Sequence, residues 1–146
     1  MTWTKTGTDD TYGVVDVGCG HTSGAGNQCN PYNGDTICSA ILPVLCFYDA
    51  KLAKPVNLDD SSVYHKWSGG IVATTEAVAG SSFDSIKDAD AFCVKTFGEG
   101  WRVAEFHDGW GWYLKAYGNF GDGFDHARNR AWVHINDQPD ATCWTP

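Results

Sequence analysis

Basic side chains are scarce in this sequence. Ten Lys and Arg stand against eighteen Asp and Glu, giving a formal charge of −8 and a pI near 4.8. That balance argues against nucleic acid as a partner, because duplex binding depends on neutralising phosphates, and against adsorption to anionic membranes. Long apolar runs are missing too. The longest, AILPVLCFY (40–48), is about half the roughly 18 residues of a membrane-spanning helix. The N-terminal MTWTKTGTDD lacks the basic-then-apolar order of a signal peptide, which implies either a mature chain or release by another route, such as lysis. No CxxC, HxH or HExxH spacing occurs, and neither a nucleophile elbow nor a P-loop.

What is present is aromatic and turn-rich. Seven Trp, seven Phe, six Tyr and seventeen Gly in 146 residues imply one domain with many short strands and few helices. Six cysteines, Cys19, Cys29, Cys38, Cys46, Cys93 and Cys143, form an even set. We expect disulfides rather than free thiols, hence a secreted or extracellular destination. Six cysteines allow about fifteen pairings. Cys19 with Cys29 and Cys38 with Cys46 are local pairings that would staple the loop-rich first 50 residues.

YGVVDV (12–17), AILPVLCFY (40–48), GGIVATTEAV (69–78), WRVAEF (101–106) and RAWVHI (130–135) are expected strands, with Pro43 confining the second to an edge or a bend. SSFDSIKDADAFCVKTFGEG is the clearest helix. Ser85 and Asp88 have capping-box spacing, Ile86, Ala89, Cys93 and Phe97 recur on one stripe, and Gly98 and Gly100 are suitable stops. HDGWGWYLKAYG suggests a short second helix capped by Asp108 and carrying Tyr113, Leu114 and Tyr117, although Gly109 and Gly111 weaken it by about 1 kcal/mol each. The expected class is α+β.

The order of helix with Cys93, Gly-rich stop, strand, possible second helix, acidic loop, final strand and Cys143 resembles the C-type lectin-like fold over residues 80–146. The resemblance implies a Cys93–Cys143 disulfide, a core in residues 80–146, and residues 1–50 as an addition to it. Sugar-binding members carry a Gln-Pro-Asp triplet before a Trp-Asn-Asp triplet. Here QPD (138–140) follows IND (135–137) directly, so the order is inverted.

Two acidic stretches offer hard oxygen donors of the kind calcium takes: Asn136 and Asp137 with Gln138 and Asp140, and Asn119, Asp122 and Asp125 in NFGDGFD. Each also reads as an ordinary turn. The two could form one calcium site if they fall at the same end of the domain. Trp110 and Trp112, with His107 and Asp108 in HDGWGW, form the best sugar platform, because an aromatic face stacks on the C–H face of a pyranose while Gln138 and Asp140 read hydroxyls. The competing reading is that these rings fill the core. The leading expectation is a non-enzymatic, glycan-binding, lectin-like protein, with homo-oligomers left open. The second is a toxin component or receptor-binding module that recognises a cell surface. A small hydrolase using His107 with Glu105, or His134 with Asp137, comes third.

Overall fold

A computed structural model describes residues 1–22, 26–27, 29–62, 65–120 and 130–146. Among the described residues nine strands occur in chain order: β1 (Thr2–Asp9), β2 (Val14–Gly18), β3 (His21–Thr22), β4 (Gly26–Asn27), β5 (Ile41–Tyr48), β6 (His65–Ala79), β7 (Trp101–Val103), β8 (Tyr113–Gly118) and β9 (Arg130–Trp132). The one α-helix among the described residues, α1, spans Ile86–Phe97 between β6 and β7.

Six strands close into a barrel in the order β6-β8-β2-β1-β9-β5, with β5 pairing back onto β6. The expected C-type-lectin-like α+β fold is therefore replaced by a closed, mostly β architecture. Residues 1–50, expected as an addition, supply three of the six barrel strands. The expected second helix is also corrected: its Tyr113–Gly118 half is β8, antiparallel to β2 and parallel to β6. That strand has buried residues on both faces, so the period-2 alternation that marks a half-exposed strand is absent from its sequence.

Alternation is clearest in β5 and β9. Leu45, Phe47, Ala131 and Val133 point into the barrel with Trp3, Val17, Val72 and Leu114. Val44, Cys46 and Trp132 point outward, where α1 covers them with Ala89 and Cys93. Pro43 is accommodated at a register shift between Pro43 and Leu45, the bend expected of it. The α1 terminus is built as its sequence implies: the Ser85 side chain accepts from the Asp88 N–H, and Asp88 accepts from the Ser85 N–H at 3.1 Å.

All six cysteines are paired, as Cys19–Cys29, Cys38–Cys143 and Cys46–Cys93. The first matches the local expectation. The Cys38–Cys46 and Cys93–Cys143 pairings do not occur, and the barrel explains why. Cys46 lies on the outer face of β5 directly beneath α1, so Cys93 on the buried stripe of that helix meets Cys46. Cys143 instead packs beside Gly80, where an added Cβ would come within 3.1 Å of its sulfur and 3.2 Å of the Cys38 carbonyl.

Candidate functional site

The chain leaving β7 crosses to the segment after β9. Glu105 and His134 form a parallel bridge, with Phe106 N–H donating to the His134 carbonyl and His134 N–H to the Ala104 carbonyl, both at 2.9 Å. These two extended segments make a wall with a cavity on either side. On the 134–137 segment side chains alternate, Ile135 and Asp137 lining one cavity and His134 and Asn136 the other, while the turn after Glu105 places Phe106 and His107 with the first and Glu105 and Asp108 with the second.

The first cavity is a groove of about 140 Å³, in which Tyr32, His107, Trp112, Asp137 and Gln138 meet. Tyr32 is 60% exposed and is held outward by a turn in which the Asn30 side chain accepts from the backbone N–H groups of Tyr32 and Asn33, both at 3.0 Å. Glu105 fixes His107. Its Oε2 accepts the His107 backbone N–H at 2.8 Å, and its Oε1 lies 3.0 Å from the ring Nδ1. The ring Nε2 is left toward Asp137, 3.8 Å from Oδ2. Glu105 Oε1 also accepts the Asn136 N–H at 3.1 Å, so one carboxylate ties both segments of the wall together.

The loop HDGWGW is wound by Asp108. Its Oδ2 accepts the Glu105 N–H at 2.7 Å, and both its oxygens take the Arg102 guanidinium, at 3.0 and 2.5 Å. Gly109 lies so close to β8 that a Cβ would come within 2.4 Å of the Tyr113 carbonyl. Beyond it the chain enters the left-handed region at three consecutive residues: Trp110 (φ 73), Gly111 (φ 100) and Trp112 (φ 62). For L-residues with bulky side chains this conformation is disfavoured. Trp112 packs edge-on against Phe106, with ring centroids 5.5 Å apart, while Trp110 is 73% exposed.

Of the expected ligand residues, His107, Trp112 and Gln138 come together in the groove, and Trp110 stands on the loop that forms its edge. Asp108 does not join them; it faces Arg102 across the wall and holds the loop. Asp140 is exposed in the turn Pro139–Ala141 and lines a different cavity, with Asp35 and Cys143.

Of the expected metal residues, Asn119, Asn136 and Asp137 fall within the described residues. Asn136 and Asp137 lie beside Glu105 and His107 on opposite faces of the wall, whereas Asn119 lies at the end of β8, donating its backbone N–H to Val72. Asp122 and Asp125 fall outside the described residues. Among the described residues no group of three or more His, Cys, Asp or Glu is placed to hold a metal. Sequence reasoning misses Tyr32 altogether; the signal is CNPYNG, in which an Asx turn displays the ring between Pro31 and Asn33.

The chain matches no known protein family, no curated protein and no solved structure. Among the described residues no helix is long and apolar enough to cross a membrane. The three disulfides are compatible with an extracellular location.

Proposed function

We propose that the protein is a secreted, non-enzymatic carbohydrate-binding protein whose site is the groove bounded by Tyr32, His107 and Trp112, with Trp110 at its edge. The observation that carries this reading is the paired left-handed backbone at Trp110 and Trp112. Holding a non-glycine residue there costs on the order of 1–3 kcal/mol, and such strain gathers at functional sites. At Trp110 it is not repaid by burial, since the indole is 73% exposed.

The surrounding chemistry suits a neutral sugar. The faces of Trp110, Trp112 and Tyr32 offer stacking surfaces. His107 Nε2, the Asp137 carboxylate and the Gln138 amide offer donors and acceptors for hydroxyls. The formal charge of −8 disfavours acidic glycans. Glu105 orients His107 as a carboxylate orients a catalytic imidazole, but among the described lining residues the groove holds no Ser, Thr or Cys for that ring to activate.

A glycan array probed with folded protein, with and without a chelator, tests the reading and separates calcium-assisted from metal-free recognition. Binding that disappears in Trp110→Ala and Trp112→Ala supports it. Retention on no glycan in either condition overturns it. Binding to cells that survives complete deglycosylation would instead point to a protein receptor, a contact for which exposed Trp and Tyr are equally suited.

A further inference from the structure

The groove sets two hydrogen-bond acceptors side by side. A carboxylate only accepts, so the His107 ring nitrogen that Glu105 holds, Nδ1, is the one that carries the proton. The neutral ring therefore turns a lone pair on Nε2 toward Asp137, whose Oδ2 stands 3.8 Å away. Neither atom has a hydrogen-bond partner among the described residues, and two acceptors at that separation do not satisfy each other.

The donor count decides what fits such a pair. A lone hydroxyl has one O–H and serves one acceptor at a time. Two hydroxyls on adjacent carbons supply both donors and keep lone pairs for the Gln138 amide N–H, which lines the same groove. A primary ammonium has donors enough but no lone pair for Gln138. Phe106 and Trp112, packed edge-on at 5.5 Å, offer apolar surface to the carbons that bear the hydroxyls. The groove encloses about 140 Å³. Pockets for drug-sized ligands hold roughly 300–1,000 Å³, so this one has room for a single sugar ring and not for a segment of chain.

We infer that the groove recognises the free vicinal diol of a terminal, uncharged sugar residue, with one hydroxyl donating to His107 Nε2 and its neighbour to Asp137 Oδ2. Glu105 is a positioning residue, because it fixes which ring nitrogen is left open. The inference rests on the glycan reading of the groove and narrows it from sugars at large to one chemical feature.

The first test is a glycan array printed in duplicate, one copy treated with periodate, which cleaves the C–C bond of a vicinal diol. Glycans retained by the wild type are expected to be lost from the treated copy. The best of them is then titrated as a methyl glycoside beside its mono-O-methyl ethers. Methylating either of the two adjacent hydroxyls removes a donor and is expected to weaken the wild type at least about tenfold. Asp137 is exposed, so Asp137→Ala spares the fold. It is expected to bind the parent sugar at least about tenfold more weakly and to ignore methylation of one of the two hydroxyls. His107→Phe keeps a ring against Phe106 and is expected to ignore methylation of the other. A merely structural role for either residue would weaken binding without changing this preference. Equal retention before and after periodate, a variant that keeps the wild-type preference, or equally tight binding of methylammonium would each overturn the diol assignment and leave the glycan reading standing. Retention of no glycan at all would overturn both.

Discussion

Glu105 grips His107 twice, through the backbone N–H at 2.8 Å and the ring Nδ1 at 3.0 Å, and the same carboxylate accepts the Asn136 N–H. Three donors converge on a side chain only 15% exposed. Glu105→Gln replaces one acceptor oxygen with an NH₂ facing N–H groups. The expected result is a loss of about 1–3 kcal/mol in denaturant unfolding. The His107 ring is also expected to sample several orientations, visible as averaging of its NMR signals. Unchanged stability would mean that the wall is held by its backbone bridge alone.

Trp110 offers a sharper separation of stability from function. Substituting Gly removes about 1–2 kcal/mol of left-handed strain and costs about 0.5–1 kcal/mol in added chain entropy, while little burial is lost from a ring 73% exposed. Trp110→Gly is therefore expected to unfold within about 1 kcal/mol of the wild type, on the stable side, while losing glycan retention. Clear destabilisation would show that the indole packs on its own domain and would remove the main support for the proposed groove.

The local features are legible in the sequence because each is encoded within a few residues. The Ser85–Asp88 box, the α1 stripe and the Pro43 bend follow from propensity and spacing. Barrel closure is not legible in this way. It depends on β5 pairing with both β6 and β9, and on β6 lying parallel to β8, contacts that join distant segments and leave no local period. Cysteine pairing fails for the same reason, since Cys46 and Cys93 meet only once α1 lies on the outer face of β5. HDGWGW is recognisable as an exposed aromatic loop from its glycines. That Asp108 would turn away to Arg102 while His107 faces the groove follows only from the turn after Glu105, in which Asp108 takes the Arg102 guanidinium and the Glu105 N–H.

The disulfides should contribute unequally. Their sequence separations are 10, 47 and 105 residues, and loop-closure entropy scales with the logarithm of that separation, giving roughly 3, 4 and 5 kcal/mol respectively. Removing each pair as a double Cys→Ala variant is expected to lower stability in the order Cys38–Cys143 above Cys46–Cys93 above Cys19–Cys29. Denaturant midpoints under non-reducing conditions check the order. If Cys46–Cys93 proved dominant, the attachment of α1 to the barrel would outweigh chain entropy.

His134 gives a pH dependence whose sign follows from burial. Desolvation is the main cause holding its pKa below the ordinary value of 6.5, with Glu105 and Asp90 opposing it. The unfolded chain therefore binds a proton at a higher pH than the folded one, and stability rises with increasing pH wherever the unfolded state carries more protons. The contribution of neutral His134 is fully present above the unfolded value near 6.5 and is lost as pH falls through it toward the lower folded value. Urea unfolding between pH 7.5 and pH 5 should show this decline, and His134→Phe should flatten it while other carboxylate-linked losses remain. A decline of equal slope in that variant would assign the acid sensitivity to another group.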